Sequence, residues 1–562
     1  MPRTMRRLVV SATAVALMCL SASAATVTIP STYDEATQQW VGDVVALTNA
    51  ITTNATWTTF KLEKGVYDLS PLTNAPMSTS TYQGPSLLSL KVGTDLRGTT
   101  GNREDVVLKG PGHYRLAVYP GGCKFRHLTL EGGYAMSGCT VPNGGAVYPS
   151  GGSAAYFTNC LFRFNVAANY GGAVTGGADY WDCYFYGNVA GTGYGFGGAT
   201  NGGRYYNCQI VSNACVISNS QGDWGQGGGL YGATIVSGCT VVSNFSTRSG
   251  GGLSNCSGIT NCYIAFNAVK GVTTPKGAGL YTCSTITNCV VEYNVASSGY
   301  GGGMSDTSAV DSIFRFNGGS HYYHDMASAT NVIERCELIG SDVQGLMVVD
   351  SCHIHHVSNV VDVLDNVTFG PCTRGVTYPF YNTREIRNSL IDHCWITNGA
   401  NHAAFYSNGK IATRIENCTI ADNTFTYTLR GYNNTTATVA FVNTVLARNR
   451  RGSTYYDLIG YESKHTYMTN CVLGVKSLTQ AEGIENVDTQ IMGAEWNPRF
   501  VESGEHPYAP KRTSILRDAG ILSGWLGGET DLAGNPRVYD GKVDVGCYEC
   551  CQDPVGSVFS VR

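Results

Sequence analysis

The sequence predicts an all-β chain folded as a single-stranded right-handed parallel β-helix, and three observations predict it. First, an eight-residue unit recurs: TNCLFRFN at 158–165, WDCYFYGN at 181–188, YNCQIVSN at 206–213, SGCTVVSN at 237–244, TNCYIAFN at 260–267, TNCVVEYN at 287–294 and VDSIFRFN at 310–317. Anchored on its third residue and continued through degenerate copies at Cys336, Val367, Ser389, Cys418, Thr444 and Cys471, it occurs thirteen times at spacings of 22 to 31 residues. A period in that range marks a stacked repeat architecture. Second, the columns of the repeat are apolar wherever a strand would face inward. Third, a glycine-rich strand (GGAV, GGAT, GGGL, GAGL or GGGM) stands between successive units from Gly144 to Met304.

The anchor and the residue two further on face the same way, which is strand periodicity. Two after the anchor stand Phe162, Phe185, Ile210, Val241, Ile264, Val291 and Phe314; three before it stand Phe157, Tyr180, Tyr205, Val236, Ile259, Ile286 and Ala309. The two residues between the −3 position and the anchor break the alternation, so they predict a corner between two strands. The second corner residue is Asn in most copies, among them Asn159, Asn207, Asn261, Asn288, Asn388 and Asn470, with Asp182 and Asp311 as substitutes. Asn tolerates the left-handed backbone that a tight corner needs, and stacked Asn side chains can bond the coils above and below. A further Asn column five after the anchor, Asn165 to Asn317, predicts a second such corner. Each coil is thus expected to carry three short strands and three turns. It buries its apolar face only against its neighbours, each large inward side chain contributing about 1.5–3 kcal/mol.

Taken in order, residues 1–24 read as a signal peptide: Arg3, Arg6 and Arg7, an apolar run from Leu8 to Leu20 too short to span a bilayer, and Ala22-Ser23-Ala24 as a cleavage site. Export without an integral membrane segment is expected. Residues 25–115 form an N-terminal cap with the first irregular coils. Within them WVGDVVALTNAI (40–51) predicts an amphipathic helix, and FKLEKGVYDLS (60–70), LLSLKV (87–92) and DVVLKGPG (105–112) predict strands. The β-helix proper is expected over 116–476 and a C-terminal cap over 477–562. In the middle, from Gly318 to Lys410, the glycine pattern lapses and seven of the 11 histidines gather. Cys352 is a possible extra anchor there, but a coil of 15 or 16 residues would be very tight. One coil with an inserted loop carrying CHIHHVSN is therefore preferred. Of the 21 cysteines, those in the anchor column are expected to pack as buried thiols, since parallel in-register Cβ vectors suit a disulfide poorly. Cys256 and Cys283 form a second aligned pair. Cys547, Cys550 and Cys551 are the best disulfide or ligand group. The net charge of −4 gives no footprint for nucleic acid.

The GGA[VT] strands paired with FRFN, FYGN and IAFN ends resemble the repeats of polymorphic membrane proteins and related bacterial β-helix proteins, over 144–317. DLAGNPRVYDGKVDVGCYE (531–549) resembles the C-terminal motif of bacterial β-helix proteins grouped as choice-of-anchor Q, and that resemblance implies a segment that closes the helix. IDHCW (391–395) resembles the DHC stretch of pectate lyases, without the calcium-binding aspartates or the Arg-bearing motif found there.

For chemistry, the irregular middle supplies the candidates. His321, His324, Asp325, Asp362, Asp365 and His402 are candidate catalytic residues, with Asp392-His393 close by. Tyr322, Tyr323, Arg384, Arg387, Tyr406 and Lys410 are candidate substrate-binding residues. A polysaccharide lyase needs a base and a cation that neutralises the uronate carboxylate; a glycoside hydrolase needs two carboxylates at a fixed separation. No metal site and no cofactor is expected: the HIHH run reads as surface histidines, the glycine turns lack the recurring Asp of calcium repeats, and the Asn columns read as structural. The expected function is a secreted or surface-associated adhesin or glycan-binding protein, a monomer whose partner is a polysaccharide or surface glycan. The alternatives are a polysaccharide lyase or glycoside hydrolase with its site at 318–410, and a structural surface-layer protein.

Overall fold

A computed structural model describes residues 25–79, 84–135, 140–151, 154–191, 194–217, 225–271, 275–297, 301–318, 320–323, 331–340, 342–344, 347–350, 352–355, 362–372, 379–381, 383–396, 403–406, 412–430, 438–461, 466–479, 484–487, 489–493, 496–522 and 529–550. The chain is a right-handed parallel β-helix. Sheet A holds the strand before each anchor, in a register that aligns Phe157, Tyr180, Tyr205, Val236 and Ile259. Sheet B holds the strand after it and aligns Phe162, Phe185, Ile210, Val241, Ile264, Val291 and Phe314. Sheet C is the glycine strand, aligning Val147, Val174, Thr200, Leu230, Leu253, Leu280 and Met304. A fourth, two-residue strand, such as Val166–Ala167, joins B to C in the earlier coils.

These columns line one interior. A single hydrophobic cluster runs from Ile29 to Leu473, and Phe162, Phe185 and Ile210 are wholly buried. Rings stack coil upon coil: Phe125, Phe157, Tyr180 and Tyr205 lie 4.7 to 5.1 Å apart, and Phe162 and Phe185 4.7 Å apart. The anchor cysteines Cys160, Cys183, Cys208, Cys239, Cys262 and Cys289 are buried free thiols, as are Cys256 and Cys283. Cys547 is a buried free thiol and Cys550 is buried; Cys551, the third of the group in which the spacing suggested a disulfide or ligand set, lies outside the described residues.

The corners follow the Asn columns with one correction. The residue before the anchor has positive φ in Asn159, Asp182, Asn207, Gly238, Asn261, Asn288, Asp311 and Arg335. At the second corner the left-handed residue is the one before the Asn, namely Phe164, Ser212, Ser243, Phe266, Tyr293 and Phe316. The Asn itself turns inward and is buried. Asn188 Nδ2 donates to Asn213 Oδ1 (2.9 Å), Asn213 to Asn244 (3.0 Å), Asn244 to Asn267 (3.0 Å) and Asn267 to Asn294 (2.9 Å), while each also donates to a carbonyl of the preceding coil. Gly171, the first of its pair, has φ +61, and a Cβ on Gly172 would strike the backbone of Gly198 and Val189. That close approach is why the third strand is glycine-rich.

At the N-terminus the predicted helix forms over Val44–Thr53, capped by Asp43, whose side chain accepts from Ala46 N at 2.8 Å. It buries Leu47, Ala50 and Ile51 against the first coils. The preceding Gln39–Gly42 is strand instead. The middle corrects the inserted-loop reading. Met347–Asp350 pairs with both Asn331–Glu334 and Asp362–Asp365, and His353–His355 pairs with Glu337–Ile339 and Thr368–Phe369. Cys352 is therefore a true anchor, flanked by two tight coils. The ladders also continue past Cys471, through Ile484–Val487 and Gln490–Ile491.

Residues 496–522 and 529–550 then lie along the side of the stack. Asn443 Nδ2 donates to Ile521 O (2.7 Å), Asn470 Nδ2 to Ala519 O (2.8 Å), Asn388 Nδ2 to Thr530 O (2.9 Å), and Cys547 N to Thr419 Oγ1 (3.2 Å). Underneath lies a second core: Leu390, Ala421, Val445, Ala447 and Val472 from the outer face of sheet B meet Phe500, Tyr508, Leu516, Val545 and Tyr548. The 531–549 motif folds this cover. Asp531 accepts from the backbone of Ala533, Asn535 and Glu549 at 2.7 to 3.0 Å. The wholly buried Arg537 lies 3.0 Å from Glu549. Burial pushes the Glu549 carboxyl up to about 8.

Candidate binding cleft

The described members of the predicted site are spread over more than one sheet. His321, Tyr322 and Tyr323 stand in Ser320–Tyr323 of sheet C, where Tyr322 pairs with Met304. Asp362 and Asp365 stand in sheet A, a different face. Arg384 and Arg387 occupy the next strand of sheet A, and Arg387 forms an ion pair with Asp365. Arg384 is exposed, and Tyr406 is buried at the end of Ala403–Tyr406, paired in register with Tyr381. His324, Asp325, His402 and Lys410 lie outside the described residues.

The structure instead opens a cleft where the lateral cover stops, with a volume of about 590 Å3. Its floor is the outer face of sheet B across the tight coils: His353, Thr368 and Leu390 in one column, Gly370 and Asp392 in the next. Gly370 is required there, because a Cβ would collide with Asp392 O. Its walls are Glu505, His506, Pro507 and Tyr508 on one side and Thr530 to Gly534 on the other.

A hydrogen-bonded cluster stands at the rim. His393 occupies the left-handed corner position (φ 48), the same column as the exposed Phe266, Tyr293 and Phe316. Its Nδ1 lies 2.9 Å from Asp392 Oδ2 and 3.3 Å from Tyr508 Oη. Tyr508 donates its own proton to Asp422 Oδ2 at 2.9 Å, so both neighbours of Nδ1 are acceptors. Nδ1 therefore carries a proton, and in the neutral imidazole Nε2 is the acceptor. Burial and the charges of Asp422 and Asp392 push the Tyr508 phenol up. Arg448 bonds Asp422 (2.5 Å) and Glu502 (3.1 Å), and it lies over the Phe500 and Tyr508 rings. Chemically the cleft is rich in acceptors: carboxylates, an imidazole nitrogen and hydroxyl lone pairs. Among the described residues no three His, Cys, Asp or Glu side chains gather as metal ligands would.

The sequence held one signal for this site. Outward positions after the anchor carry Tyr184 and Tyr186, Gln209 and Val211, or Val290 and Glu292 in the early coils, but Thr419 and Ala421, Val445 and Ala447, or Val472 and Gly474 in the late ones. Small, mostly apolar outward residues mark a covered face, and Asp392, just before them, marks its edge.

No family model matches the chain, and no curated protein matches it. Solved structures it is similar to include a pectate lyase (12% identity, 90% of each chain covered, TM-score 0.21) and an alginate lyase in complex with a trisaccharide (11%, 84% of this chain and 95% of that, 0.25). A third is the catalytic unit of a thermostable α-1,3-glucanase from Streptomyces thermodiastaticus (13%, 85% and 69%, 0.22). Likenesses of this size say nothing of this chain's chemistry.

Proposed function

We propose that this is an exported, surface-associated protein of adhesin type that binds a glycan, and that the glycan lies in the cleft between sheet B and the lateral cover. The observation that carries the reading is the cleft itself. Its volume falls in the roughly 300–1,000 Å3 range of ligand sites, it opens to solvent, and its polar lining comes from both sheet B and the lateral cover. Hydroxyl-rich ligands match such a lining of acceptors. Export rests on the leader-like residues 1–24; no helix among the described residues is long and apolar enough to cross a membrane.

The test is titration calorimetry of the full chain against a panel of oligosaccharides, with Leu532→Trp to fill the cleft. Saturable binding lost in the variant is expected; binding that Leu532→Trp leaves unchanged would place the glycan elsewhere. The oriented Asp392–His393 pair favours a second reading, hydrolysis of the bound glycan, with Nε2 as a proton acceptor for water. New reducing ends that vanish in His393→Ala would establish it. Absorbance in the unsaturated-uronate band would establish elimination instead.

A further inference from the structure

We infer that the cleft takes an uncharged glycan and discriminates against uronate-containing and sulfated ones; this rests on the cleft being the glycan site. The titratable side chains lining it are Cys352, His353, Asp392, Glu505, His506, Tyr508, Asp531 and Tyr548. Three are carboxylic acids, and no Lys or Arg stands among the described lining residues. The cation at the neighbouring rim, Arg448, is already held by Asp422 at 2.5 Å and Glu502 at 3.1 Å. The charge inside the cleft is therefore negative.

A uronate or sulfate group brought between these walls would lose water and meet like charges at close range. Such repulsion grows as the dielectric falls. The Tyr508 proton is already committed to Asp422 (2.9 Å), so that hydroxyl has no proton to offer the anion. A neutral sugar meets the opposite situation. Its hydroxyls are donors, and carboxylate acceptors form the stronger, charge-assisted class of hydrogen bond.

The experiment compares one oligomer in two charge states: an oligogalacturonide and its full methyl ester, with a neutral glucan and a neutral xylan series alongside. Full-length protein is titrated with each at low salt. The expected result is at least a tenfold preference for uncharged ligands over the free acid, narrowing in Glu505→Gln and narrowing further in Asp392→Asn/Glu505→Gln. Glu505 is exposed, so the single variant keeps the fold. Equal or tighter binding of the free acid would overturn the inference while leaving the cleft a glycan site. A preference unchanged in both variants would also overturn it. Failure of every glycan to bind would remove the underlying reading, and this inference with it.

Discussion

Coils 140–317 and coils 352–473 are built from the same repeat but hold together differently. The earlier coils are zipped from inside by the Asn column, with Asn188, Asn213, Asn244 and Asn267 each bonding the next coil, and their outer strand faces are uncovered. In the later coils that column is broken, with Cys372 and Cys394 standing where Asn is expected. It resumes only at Asn423 and Asn449 and ends on the buried Asp457. These coils are braced from outside by residues 496–550. A solenoid needs only its neighbours where the repeat is intact. In the later coils a lateral cover adds a second core on the outer face of sheet B, and the cleft opens where that cover ends, over the tight coils.

The largest effects should separate the two halves. Phe162→Ala removes a ring stacked on Phe185 and packed edge-on against Phe157 and Tyr180. It should cost about 3–5 kcal/mol and open coils 140–317 to hydrogen exchange while 388–473 stays protected. Phe500→Ala, in the cover, should cost a similar amount with the opposite footprint. Identical footprints would break the comparison.

Acid should favour the cover. Burial raises the Glu549 carboxyl from 4.5 to about 8, so the fold prefers its protonated form. The stability this contributes is complete below about pH 4.5 and is lost as the pH rises to about 8. The burial-raised Asp544 carboxyl acts in the same direction. Melting followed from pH 5 to 8.5 should show the covered half weakening, and Glu549→Gln should flatten the slope.

Asn244→Ala removes the acceptor of Asn213 N and of one Asn213 Nδ2 proton and the side-chain donor to the Ile210 carbonyl, at a cost of about 2–3 kcal/mol, read by denaturant unfolding. Smallest is the exposed corner. Asn288 has φ 52 and donates to Asn261 at 2.6 Å. Asn288→Ala should cost about 1 kcal/mol for the left-handed backbone, and Asn288→Gly about half as much or less.

The fold was legible because a strand column repeats its demand in every coil: Phe157 and Phe162 are each one instance of an apolar column of thirteen, and Asn159 one of nine Asn in the corner column. The two tight coils around Cys352 were not, because spacing alone does not tell a short coil from an inserted loop; pairing on both sides of His353–His355 does. The candidate site was read from closeness in sequence, and a solenoid sends neighbouring segments to different faces: His321 stands in sheet C, Asp362 and Asp365 in sheet A.

The amino-acid sequence alone determined the β-helix, its inward columns and its Asn and Gly corners, since each depends on local geometry and on contact with the adjacent coil. Tertiary structure decided where the C-terminal segment lies. That turns on matching the outer face of sheet B at Leu390 to Val472 with Phe500, Tyr508 and Val545. This contact spans a large separation along the chain and has no period, so nothing repeats to announce it; the cleft, and with it the functional reading, exists only because that contact forms.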